Sequence, residues 1–154
     1  MQLSKAAYLS SEKIDARKLT AKNYLSTDNM LPNIGGFSES SQLPTGNVTH
    51  FIANDILLSN IRPYFKKMVF STFEGGTSND VLCIRANKTN VLPKYLFYCL
   101  SSDSFFSYYN ANCKGTKMPR GDKQALLNYD FPFRELDEQH HIVDTISSLL
   151  LKSL

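Results

Sequence analysis

The sequence predicts an α+β fold: a single mixed domain with a β-sheet core, short helices, long loops and a C-terminal helix. Three observations predict it. Short β-branched and aromatic runs at residues 55–59, 67–73 and 80–85 are each bounded by turn formers, the pattern of sheet strands. Residues 26–48 are rich in Ser, Asn, Gly, Pro and Thr, which favour turns and left-handed backbone and give a long ordered loop. From residue 135 onward, apolar side chains recur at helical spacing. At 154 residues the chain is long enough to bury one sizeable core.

In chain order, residues 7–14 read as a short strand and residues 15–24 as helix-compatible, with Leu19 and Tyr24 as a weak apolar period. The loop that follows holds Pro32, Gly35, Gly36, Pro44 and Gly46. It is too long for a passive connector, and long loops carried by a rigid domain are where binding residues concentrate. The three strands come next, separated by Pro63 and by a polar turn, Gly75-Gly76-Thr77-Ser78-Asn79-Asp80. Residues 94–100 and 102–109 read as helices. Pro93 suits the start of the first, because its missing N–H has no helical partner there. Residues 115–122 read as a loop and residues 129–133 as extended. In the last segment Asp137 and Glu138 lie where acids favour a helix N-terminus. Leu136, Val143, Ile146 and Leu150 then follow at steps of seven, three and four, widened by Ile142, Leu149 and Leu151. A helix with that stripe, reaching Leu154, needs a partner surface.

Composition excludes several classes. With 42% hydrophobic and 20% charged residues the chain is globular rather than disordered. No apolar run reaches the roughly 18 residues that span a bilayer, and no apolar stretch of signal-peptide length follows Met1. The expectation is a cytoplasmic protein with no membrane partner. Cys83, Cys99 and Cys113 form no Cys-x-x-Cys pair, so they read as reduced structural thiols, with no metal site and no cofactor. Neither a Gly-x-Ser-x-Gly elbow nor a phosphate-binding loop is present, and the chain reads as no enzyme. His140 and His141 have no converging partners and read as surface residues, and Phe105 and Tyr109 share a helix face that suits a core.

The net charge of +3 is unevenly placed: residues 60–123 carry +6 and the rest −3, compatible with a polyanion partner. Within the basic centre, Arg62, Lys66 and Lys67 cluster around Pro63, and Thr77 and Ser78 lie in the polar turn. Lys114, Thr116, Lys117, Arg120 and Lys123 fall in a glycine-framed loop. Lys and Arg beside hydroxyl and backbone N–H donors suit DNA phosphates. Arg62 has a second reading, bracing its turn through an internal carboxylate such as Asp55. Asn33, Gln42 and Asn47 in the long loop are candidate base readers, since Asn and Gln pair with adenine edges.

These segments, in this order, resemble the target-recognition domain of type I restriction-modification specificity (S) subunits. The family pattern runs from a Gly-Asp-Ile-Leu strand through Ile-Arg-Pro-Tyr to a Gly/Ser-rich turn, a Leu-Pro-x-Tyr-Leu helix, a Gly-Thr loop and a Pro-x-x-x-x-Glu-Gln helix entry. It is matched by Asp55-Ile56-Leu57, Ile61-Arg62-Pro63-Tyr64, Gly76-Thr77-Ser78-Asn79-Asp80, Leu92-Pro93-Lys94-Tyr95-Leu96, Gly115-Thr116-Lys117-Met118-Pro119 and residues 132–139. Residues 24–30 are similar to the family's early segment. Asn54 stands where the family has Gly, a change that positive φ tolerates.

The resemblance implies a non-catalytic domain, residues 1–134, that binds double-stranded DNA and reads one half of a split target. Residues 135–154 would begin the family's helical spacer, with Leu136, Val143, Ile146 and Leu150 as its interface. It also implies docking to methyltransferase (M) subunits and, through them, the restriction (R) subunit. Through the terminal helix a homodimer or a second recognition domain would complete the reader. The alternative is a protein-interaction module built on that helix with no role for DNA.

Overall fold

The apolar runs near the middle of the chain are strands buried on both faces. A computed structural model describes residues 1–152. In chain order its strands are β1 (Ala7–Leu9), β2 (Lys13–Asp15), β3 (Tyr24–Leu25), β4 (Asn47–Phe51), β5 (Ile56–Ser59), β6 (Met68–Phe70), β7 (Gly75–Thr77) and β8 (Val81–Ala86). The helices are α1 (Pro93–Leu100), α2 (Asp103–Ala111), α3 (Lys123–Asn128) and α4 (Leu136–Lys152). One sheet has the order β1-β8-β5-β6 and is antiparallel throughout. The other has the order β2-β4-β7-β3, with β3 parallel to β7.

The register of β5 on β8 divides the core in two. Ile56 lies opposite Ile84 and Leu58 opposite Leu82, and this face packs into the main cluster with Leu96, Leu100, Phe105 and Tyr109 from α1 and α2. The alternate face, Leu57, Val81 and Cys83, packs with Leu25, Met30 and Phe51 beneath the second sheet. Period-two alternation thus separates two apolar environments rather than core from solvent, which is why these strands read as unbroken hydrophobic runs. As expected, Phe105 and Tyr109 are buried, with rings stacked 5.5 Å apart, and His140 and His141 lie at the surface.

A buried ion pair joins the sheets. Asp55, 1% exposed, accepts from Nε and Nη2 of Arg85 at 2.9 and 2.8 Å, and from the Ile52 N–H at 2.9 Å. Arg85 also reaches Glu12, which precedes β2, at 2.8 Å. The Asp55 hydrogen bonds hold the Arg85 guanidinium well above its ordinary pKa, so it stays charged. Burial first, and the Asp55 carboxylate next, push the Cys83 thiol up. The bracing role considered for Arg62 therefore belongs to Arg85.

Several expected elements differ. Residues 7–14 are two strands in different sheets, β1 and β2, because the chain turns at residues 10–12. Residues 15–24 form a single 3-10 turn, Ala16–Lys18, capped by Asp15 accepting from the Arg17 N–H, and then enter β3. The Gly75-Gly76 turn is strand β7, paired on both sides. Residues 123–128 are a helix, whose N–H groups of Gln124 and Ala125 are capped by Asp122. The Ala125 N–H, followed by Lys114, holds that carboxyl below its usual range. The extended residues 129–133 make one isolated bridge, Gln2 to Asp130.

Helix α4 is docked by Gln139, which is fully buried. Its side-chain oxygen accepts from the Leu92 N–H at 2.8 Å, and its nitrogen donates to the Asn90 and Arg134 carbonyls at 3.0 and 2.7 Å. Ile142 and Val143, both partly buried, pack against the main core. Ile146 is half-buried, while Leu136 and Leu150 are exposed. The expected end of this helix at Leu154 lies outside the described residues. Among the described residues no helix is long and apolar enough to cross a membrane.

Candidate nucleic-acid interface

Four loops meet at one end of the two sheets, and their backbones are bonded to one another. Residues 60–67 leave β5 and run antiparallel to the 114–121 loop. The Arg62 N–H donates to the Pro119 carbonyl at 2.8 Å and the Gly121 N–H to the Asn60 carbonyl at 3.0 Å. Lys114 and Arg120 exchange both backbone hydrogen bonds, closing that loop on itself. The Asn60 N–H donates to the Asp80 carbonyl at 2.7 Å, bringing in the turn after β7. Below them Tyr109 donates to Asn60 Oδ1 at 2.6 Å, and Gly121 packs against the Tyr109 ring, where an added Cβ would come within 2.4 Å.

The long loop is fastened from beneath by Asn29, which is buried. Its side chain donates to the Tyr24 and Ser38 carbonyls and accepts from the Ser26 N–H, so the loop folds back over this residue. Thr27 Oγ1 lies 2.9 Å from Ser59 Oγ, and Lys67 Nζ donates to the Thr27 carbonyl at 2.7 Å. A polar groove of about 340 Å³ results, lined by Asp28, Gln42, Arg62, Ser78, Asp80 and Met118 among others. It is built from loops far apart in sequence, held by backbone hydrogen bonds rather than by an apolar core.

The candidate cations differ in how they are held. Lys66 pairs with Asp103 at 3.3 Å, Lys114 with Asp122 at 3.1 Å and Arg120 with Asp80 at 2.7 Å. These are partly exposed pairs, which contribute little stability and exchange readily for another anion. Arg62, Lys117 and Lys123 have no ion pair among the described residues. Only Arg62 of these three lines the groove; Lys117 and Thr116 sit exposed on the neighbouring loop, and Lys123 lies in a separate shallow cleft with Lys13 and Asn79.

Other expected contacts are placed elsewhere. Thr77 is fully buried in β7, with its hydroxyl unpartnered, and is out of reach of any phosphate; Ser78 next to it does line the groove. Of the three candidate base readers only Gln42 lines the groove. Asn33 is in the left-handed region with φ 56° and its N–H is taken by the Phe65 carbonyl, which makes it a turn residue. Asn47 lies in β4 opposite Asp15. Asp28, which the sequence does not single out, is an exposed carboxylate in the groove; lone acids on loops carry no pattern by which to find them.

Comparison with known proteins places this arrangement in a family. A family model described as "Type I restriction modification DNA specificity domain" matches residues 5–153. The chain is 28% identical over 99 residues to the type I restriction enzyme EcoDI specificity subunit of Escherichia coli, which covers 64% of the chain and 22% of that protein. Its fold matches the crystal structure of the HsdS subunit from Thermoanaerobacter tengcongensis with a TM-score of 0.76 and 22% identity, over 99% of this chain and 42% of that one. It also matches the type I restriction-modification S subunit of M. genitalium, with a TM-score of 0.68 and 15% identity, over 96% of this chain and 37% of that one. The chain therefore spans less than half the length of each of these relatives. On the match over nearly its whole length, it belongs to the type I restriction modification DNA specificity domain family.

Proposed function

We propose that the chain binds double-stranded DNA sequence-specifically, as half of the specificity subunit of a type I restriction-modification system. A specificity domain reads and does not catalyse, so chemistry belongs to partners: M subunits and, through them, the R subunit. Residues 1–134 act as the target-recognition domain, and α4 begins a spacer helix. Through that helix a second copy or a second recognition domain completes the reader.

One observation carries this reading. Arg62, a cation without an ion pair among the described residues, opens into the same groove as Gln42 from the long loop. Gln to adenine is a standard base-edge pairing, Asp28 beside it is an acceptor for a cytosine amino group, and Arg62 holds a phosphate at the edge of the groove. Lys114, Lys117 and Arg120 on the adjoining loop hold phosphates, which fix register without reading sequence. Lys66 and Lys67 brace the Arg62 turn and add charge.

The test is binding of a mixed-sequence duplex followed by fluorescence anisotropy as salt rises from about 50 to 200 mM. A DNA reader loses affinity steeply over that range. Indifference to duplex DNA at the lowest salt, even with the methyltransferase present, would favour the protein-interaction reading. Exchange of residues 33–47 for those of a related domain is expected to change the sequence methylated; an unchanged target refutes base reading by this loop.

A further inference from the structure

The turn that carries Arg62 also carries two side chains that folding leaves exposed. Tyr64 is 51% and Phe65 44% exposed, with ring centroids 4.8 Å apart. Scattered surface aromatics are ordinary. This pair differs because its backbone is strained and held on several sides. Arg62 and Lys66, which bracket it, both lie in the left-handed region at φ 46° and 54°, where residues with a Cβ are rare. Pro63 between them is buried, with its φ fixed by the ring. The Phe65 and Lys66 carbonyls accept from the N–H groups of Asn33 and Ile34 at 2.9 and 2.7 Å. Lys66 is tied to Asp103 of α2, Lys67 to the Thr27 carbonyl, and Arg62 N–H to Pro119. The Tyr64 hydroxyl has no hydrogen bond among the described residues, and Lys67 Nζ lies over the Phe65 ring, 5.7 Å from its centroid.

The chain around the pair is basic, and the one carboxylate that reaches it from elsewhere among the described residues, Asp103, is held by Lys66. No acidic residue occurs between residues 56 and 73, while Arg62 and Lys67 flank the rings and neither has an acid partner among the described residues. A rigid apolar pair between cations matches a base step between its phosphates, and apolar side chains inserted at such steps unstack and kink a duplex.

We propose that Tyr64, backed by Phe65, is a wedge that inserts at one base step of duplex DNA and partly unstacks it, while Arg62 and Lys67 hold the adjoining phosphates. The inference rests on the DNA-binding reading above. Recognition of the target thereby includes its deformability at that step as well as its base edges.

The test begins with selection of duplexes from a randomised library by the 154-residue chain. The enriched duplex is then made with 2-aminopurine at each position in turn. The wild-type chain is expected to raise the fluorescence severalfold at one step. Tyr64→Ala removes that rise and weakens binding about tenfold with its salt slope unchanged, because stacking and not charge is lost. Tyr64→Phe retains both signals. Tyr64→Lys, which keeps the solvent-exposed character of the site and so guards against a folding defect, loses the rise while steepening the salt slope. Thermal melting of each variant matches the wild type. An equal fluorescence rise with Tyr64→Ala or Tyr64→Lys, or no rise with the wild type on a duplex it binds, overturns the wedge alone. Failure to enrich any duplex overturns the DNA-binding reading and the wedge with it.

Discussion

Asp55 and Arg62 stand seven residues apart and show how differently charge is used in this molecule. Asp55 is buried against Arg85 with two hydrogen bonds, and Arg85 ties both sheets together through Glu12. Removing Asp55 leaves the buried Arg85 with only the half-exposed Glu12 as an ionic partner among the described residues, which costs up to about 3–5 kcal/mol. Asp55→Ala is accordingly expected to destabilise the fold by about that much in urea unfolding. Asp55→Leu combined with Arg85→Met should cost less than Asp55→Ala alone, because no buried charge remains. Arg62 is the opposite case. It braces nothing, so Arg62→Ala should leave the melting temperature unchanged. It should weaken duplex binding at every salt concentration and flatten the slope of log affinity against log salt by about one unit. An unchanged slope would place its guanidinium away from phosphate, on a base edge. The sequence shows both residues in one motif but not their division of labour. Which carboxylate meets which guanidinium depends on the pairing of β5 with β8, and that register joins residues 30 apart.

At the scale of elements, β7 decides how the second sheet closes. Gly75 has no room for a side chain: an added Cβ would lie 2.0 Å from the Asn23 carbonyl oxygen and 2.9 Å from the Phe51 ring. Gly76 meets Val48 and Leu19 within 2.8 Å. Gly75→Ala must therefore push β3 off β7, an overpacking cost of about 1–3 kcal/mol that a lowered urea midpoint would report. This same strand was invisible to local propensity, since glycine is disfavoured in strands and Gly-Gly followed by Thr, Ser, Asn and Asp reads as a turn. Its place is set by close approach of neighbours, which is the usual reason for glycine inside a sheet. The apolar strands β5, β6 and β8, and helices α1 and α2, were legible because their own residues are buried and periodic. The groove was legible only in part. Arg62, Ser78 and Gln42 stand out by type, whereas the irregular loops that bring them together are fixed by backbone hydrogen bonds and by Asn29. Gln139 is similar: it reads as the polar entry to a helix, and is the buried clasp of α4. Gln139→Ala leaves the Leu92 N–H and the Asn90 and Arg134 carbonyls without that partner, at about 1–3 kcal/mol for a buried group left unsatisfied.

The whole molecule is lopsided, and its two ends pose different demands. Arg62, Lys114 and Arg120 of the basic central segment meet at the loop end, while α4 runs out past the core that Ile142 and Val143 reach. Beyond them Leu149 and Leu150, neighbours on the stripe that Ile146 begins, are 61% and 55% exposed, far more than a solitary domain needs to display on one helical turn. A second copy of the chain, packed along this end of the helix, would cover them and present two readers related by a two-fold axis. Sedimentation of the chain over rising concentration is expected to show a monomer giving way to a dimer. That association should persist in high salt, because apolar burial and not charge drives it. Leu149→Glu with Leu150→Glu should hold the chain monomeric while leaving its fold and its groove intact. The two states also differ in what they read. A two-fold dimer selects palindromic duplexes, since symmetry in the protein imposes it on the site. The double variant should select single half-sites, with each contact from Gln42 and Arg62 preserved but the repeat and its fixed spacing lost. A clean monomer at high concentration, enriching only half-sites from the outset, would assign the end of α4 to a different partner within a larger assembly.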